Sequence, residues 1–238
     1  VKPDLRPGLV LVAAALVAVT THVRATGNLA EDPARDYRPL PARYAKLLAT
    51  DFDALWADMA WLAFLQHDGA IMARDASDRR FGALEAGLQT VTTLDPDYLV
   101  AYVFGSWALG DADRPQAAQD LLERGLAHRP GDRQLLYQLG FVRFLLLRDL
   151  DGAISAFMAA AAPGAHPQDL AIVRNAMKMA AGLAERRNDP NLAGRLWRAI
   201  AEDARRRGDD RLAGVARRAL ERLRRERASV TAPDRSGR

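Results

Sequence analysis

Four histidines, His22, His67, His128 and His166, are the side chains best suited to acid–base or metal chemistry, and no two of them lie at a spacing that would bring them to one site. Each falls in a different stretch, at a position that reads as a loop or a helix end. Cysteine is absent, which removes disulfides, thiolate metal sites and a cysteine nucleophile. Residues 105–110 (Gly-Ser-Trp-Ala-Leu-Gly) do not make a phosphate loop, because they lie within a helical pattern and no Lys-Ser or Lys-Thr follows. The expectation is a chain with no catalytic residue, no metal and no cofactor. The chemistry left to it is contact, through aromatic and aliphatic side chains and an arginine-rich end.

The elements that must position those side chains are helices. Tyr98, Tyr102, Phe104, Gly105, Ala108 and Leu109 recur at steps of three and four. Residues 110–115, with Gly110, Asp111, Asp113 and Pro115, break that pattern. A second helix follows, with Ala117, Ala118, Leu121, Leu122, Gly125 and Leu126 on one face, and Pro130 ends it. Small residues at Gly105, Ala118 and Gly125 allow the two backbones to approach closely. The order then repeats. Leu139-Gly140 answers Phe104-Gly105, Ala153 answers Ala118, Ala160 answers Gly125, Phe157 takes the bulky place, and Pro163 closes the unit. Pro96, Pro130 and Pro163 sit 34 and 33 residues apart, a period that belongs to stacked helix pairs.

This pattern resembles the tetratricopeptide repeat, most clearly in residues 149–157, which look like the family's turn and second helix. Residues 57–62 with Gln66 are similar to the first helix of bacterial membrane-anchored tetratricopeptide proteins. The family's first-helix Trp is replaced by Tyr102 and Tyr137 nearby. The resemblance implies an all-α, helical-hairpin solenoid over residues 51–227, with about four helix pairs and a C-terminal capping helix. It also implies a concave groove for a peptide or helix of a protein partner, lined by Leu99, Tyr102, Ser106, Gln134, Tyr137, Phe141 and Lys178. The same spacing allows Tyr102, Tyr137, Phe141 and Phe144 to be core between helices instead.

The ends carry separate messages. Lys2 and Arg6 precede a strictly apolar run from Gly8 through Leu11 and Leu16 to Val19, which reads as a signal anchor or signal peptide within residues 1–24. Residues 25–50, with Gly27, Pro33, Pro39 and Pro41, read as a linker. The expected location is the bacterial inner membrane, with the repeat domain on the periplasmic side, or export in soluble form if the segment is cleaved near residues 23–25. From Phe52 to Leu65 apolar residues occupy more than one face, so that helix should be covered on two sides, with Trp56 and Trp61 as interface residues. Residues 205–238 hold twelve Arg against five acidic residues, so the basic excess of the chain belongs to this end. It reads as a solvated cap helix, or as a contact for anionic lipid or an acidic partner, followed by a disordered basic tail at 228–238. Nucleic acid is disfavoured, because no aromatic residue beyond Trp197 interleaves these arginines. The functional expectation is a membrane-tethered, non-enzymatic adaptor. The alternative is a fixed structural subunit of a secretion, pilus or cell-envelope complex.

Overall fold

The computed structural model describes residues 37–72 and 83–231. The expected membrane segment with Gly8, Leu11, Leu16 and Val19, and His22 after it, lie outside the described residues, as does the tail beyond Thr231. Among the described residues the chain is all-helical, with ten α-helices and no strand. It divides at Asp95/Pro96 into two compact units.

The first unit holds α1 (Ala42–Ala49), α2 (Asp53–Met72) and α3 (Leu84–Leu94), with α1 and α2 both packed on α3. Helix α1 falls within residues 25–50, where a linker was expected. Pro41 starts this helix instead of breaking it, its carbonyl accepting the amides of Tyr44 and Ala45, and the small residues Ala45 and Ala49 bury one face. Ahead of it, the Thr90 hydroxyl donates to the Leu40 carbonyl at 2.7 Å and straps the incoming chain to α3. Thr50, at φ 51°, turns the chain from α1 into α2.

The second unit is a run of helical hairpins: α4 (Leu99–Asp111) with α5 (Pro115–His128), α6 (Arg133–Phe141, continued by a π turn over Val142–Leu146) with α7 (Leu150–Ala160), and α8 (Leu170–Arg186) with α9 (Pro190–Arg206). Helix α10 (Asp210–Thr231) closes the run against α9. Each helix packs on its neighbours in the chain, and the first helices α4, α6 and α8 also touch in turn.

One turn recurs four times. Asp113, Arg148, Asn188 and Gly208 all adopt positive φ, between 56° and 70°, immediately after the end of a helix. The amide of the next residue folds back onto the helix just ended: Arg114 to the Leu109 carbonyl, Asp189 to Ala184 and Asp209 to Ala204, each at 2.9 Å. In three of the four turns that next residue is an aspartate, Asp149, Asp189 or Asp209, whose carboxylate caps the following helix by accepting an amide at 2.8–2.9 Å. The second turn differs in one respect. Asp149 reaches six residues back, to Arg143, because the π turn accommodates one extra residue there.

At two glycines the close neighbour is an aromatic ring, where the sequence suggested a facing backbone. A Cβ on Gly125 would lie 2.9 Å from the Tyr102 ring, and one on Gly140 would lie 2.6 Å from Phe157. Between hairpins, Gly131 and Gly164 supply the left-handed residue after Pro130 and Pro163, at φ 79° and 84°. Arg133 donates from its guanidinium to the carbonyls of Ala160, Ala162 and Pro163, satisfying the open C-terminal end of α7. Helix α10 runs to Thr231, past the expected boundary at Arg227, since no helix breaker occurs before Pro233.

Candidate interaction surfaces

Helix α4 is apolar nearly all round, so its sequence period could not distinguish its inner from its outer face. The groove expected along Leu99, Tyr102 and Ser106 is corrected accordingly. Tyr102 and Ser106 are fully buried, at 0 % exposure, and Leu99 is half-buried. Tyr102 fills the space over Gly125 and donates its hydroxyl to the Pro96 carbonyl at 3.1 Å. Ser106 donates to the Val103 carbonyl at 2.8 Å and accepts from the Gln138 amide at 3.2 Å, a buried polar link between α4 and α6. The exposed face of α4 lies on Val100, Phe104 and Trp107, at steps of four and three, the last two each 40 % exposed.

On α6 the expectation fares better for position than for freedom. Gln134 is exposed, while Tyr137 and Phe141 are half-buried. Their rings pack edge to face at 4.9 Å, and both lean on Phe157, at 5.5 and 5.3 Å. Partial burial raises the Tyr137 pKa above the usual phenol value. Trp107 of α4 stands 6.4 Å from Phe141 between ring centres, so an aromatic strip passes from one first helix to the next. On α8, Lys178 is half-buried, and the Arg186 guanidinium lies 5.3 Å over the Phe144 ring.

Glu185 of α8 is held within the fold. One carboxylate oxygen accepts the Trp197 indole N–H at 2.5 Å and the other pairs with Arg222 at 2.6 Å, joining α8, α9 and α10. Arg211, Arg217, Arg218, Arg224 and Arg225 of α10 are exposed, with Glu221 among them. A shallow cleft of ≈ 110 Å³ between α9 and α10, lined by Pro190, Gly194, Arg198, Leu220, Leu223 and Arg224, is well below the roughly 300 Å³ at which small-molecule sites begin.

In the first unit the expectation that α2 has two apolar faces holds, and one of its two proposed interface residues moves inside. Trp61 is 8 % exposed and stacks on Phe64 at 5.2 Å, because it shares its face with Ala57, Phe64 and Asp68. Trp56, on the other face, is exposed together with Phe52, Leu55, Met59 and Leu62. His67 is buried and stacked on Tyr37 at 4.3 Å, and neither of its ring nitrogens has a hydrogen-bond partner among the described residues. Burial lowers its pKa and raises that of Tyr37 to about 12. No three His, Asp or Glu side chains converge as a metal site among the described residues, and none of the described helices is long and apolar enough to cross a membrane. No family model matches the chain, and a search of curated proteins finds no match.

Proposed function

We propose that the chain is a non-enzymatic scaffold of the tetratricopeptide type, tethered to a bacterial envelope membrane by its N-terminal segment, with its repeats on the periplasmic side. The observation that carries this reading is the outward apolar face of α4, with Val100, Phe104 and Trp107, continued by Phe141 and Tyr137 on α6. Rigid aromatic side chains lose little conformational freedom on binding and desolvate a large area, which suits them to anchor a partner's apolar side chains. Their helical spacing matches an amphipathic helix or an extended peptide laid across the two first helices. Arg186 and Lys178 would supply polar contacts farther along, and the tether would raise the local concentration of a partner in the same membrane.

The test is capture of partners by the tagged full-length chain from its own membranes in mild detergent, with and without the paired changes Phe104→Ala and Trp107→Ala. Both side chains are 40 % exposed, so the helices should persist with a modestly lower thermal midpoint while the partner is lost. Full retention of the partner by the double variant would sink the groove. A single partner at constant ratio, insensitive to the double substitution, would instead make the chain a fixed subunit of one complex.

A further inference from the structure

The face of α2 opposite its core carries Leu55, Trp56, Met59 and Leu62, and Phe52, the residue just before the helix, continues the same stripe at a step of three. Phe52 is 62 % exposed and Met59 55 %. The stripe leaves on the order of 500 Å² of apolar surface uncovered, at the upper end of what a soluble monomer tolerates. It falls short of the roughly 800 Å² per partner that a stable dimer buries.

The path of the chain says what lies against it. Tyr37, the first described residue, is stacked on His67 on the buried side of α2 and lies against Gly87 of α3, so the chain enters this unit between the stripe-bearing helix and its neighbour. Seventeen residues, 20–36, separate Tyr37 from the apolar run that ends at Val19. They reach at most about 60 Å at full extension. If the run sits in a bilayer, α2 is held within that reach of its surface. Over residues 37–66, Arg38, Arg43 and Lys46 balance Asp51, Asp53 and Asp58, so this stretch carries no net charge to favour anionic lipid.

We infer that the α2 stripe inserts into the bilayer surface, lying in the plane of the membrane and held by its apolar side chains, with Trp56 at the level of the headgroups. This rests on the reading of the N-terminal run as a membrane segment. The two can fail separately.

The chain has no cysteine, so a nitroxide on Met59→Cys reports from one place. The labelled full-length protein is reconstituted into phosphatidylcholine vesicles and compared with a label on Arg211→Cys, an exposed position on α10. The expected result is that the Met59 label gains collisions with oxygen and loses collisions with an aqueous nickel chelate relative to the control, without change in high salt. A label on Leu55→Cys should behave alike. Chain that survives an alkaline wash while the Met59 label stays as open to nickel as the control overturns the inference and leaves the tether standing. Chain removed by the wash overturns both. Spin–spin broadening at Met59 would show that a second copy covers the stripe, and would overturn the inference as well.

Discussion

Gly140 has no room for a side chain. The Phe157 ring occupies the place of its Cβ and is itself wedged between Tyr137 and Phe141, so it cannot swing aside. Gly140→Ala should therefore destabilise the second unit by about 1–3 kcal/mol despite the gain in helix propensity. The change should appear as a lower denaturant midpoint at unchanged slope, with part of the loss recovered by adding Phe157→Leu. A stability equal to the parent's would mean that the aromatic cluster repacks freely. The same physics separates Tyr102 from Trp107. One side chain fills a glycine-walled space and has its hydroxyl bonded inside, while the other stands at the surface. Residue types alone revealed that small and bulky partners meet in each hairpin. They did not reveal that in the first hairpin the glycine lies on the second helix and in the next hairpin on the first.

Among the elements, α2 is held between two pH limits by the stack of Tyr37 on His67. The folded-state pKa of His67 is depressed by burial, so below the ordinary value of about 6.5 the unfolded chain takes up a proton that the folded one refuses. Stability is thus complete above that value and is lost as the pH falls toward the folded-state pKa. Tyr37, raised to about 12, acts at the other limit: the unfolded phenol ionises from about 10 upward while the buried one does not, so stability is lost between these values. Protection factors of the α2 amides, taken against the intrinsic exchange rates, should fall on acidification from about pH 7 to about pH 5, and His67→Leu should flatten that response. An unchanged response in the variant would assign the acid sensitivity elsewhere. Legibility at this scale followed contrast. Helix α9 carries its facing in its sequence, because its apolar and charged faces differ sharply. Helices α2 and α4 were readable as helices only, since apolar residues surround them. Helix α1 was hidden by Pro39 and Pro41, which suggest a linker until Pro41 is seen to begin a helix.

At the scale of the molecule, the hairpins of the second unit bind mainly to their neighbours, so the loss of an end should be felt locally first. Removing residues 210–238 takes away the Ala216, Ala219 and Leu223 stripe and the Arg222 partner of Glu185. Exchange protection should fall most in α9, less in α8 and least in α4. A uniform fall would show that the unit melts as one cooperative body. The recurring left-handed turn has a consequence for how such a chain can lengthen. Each junction satisfies its own amides and carbonyls, and Asp149, Asp189 and Asp209 start the next helix from within the turn that ends the last. A whole hairpin copied in tandem would arrive with its ends already closed and a matching neighbour on either side. A lone extra residue has no such provision and would have to be taken up inside a helix, as a π turn like that at Val142–Leu146 can do. Growth by duplication is therefore cheap for this backbone, and drift by single insertions leaves a visible scar.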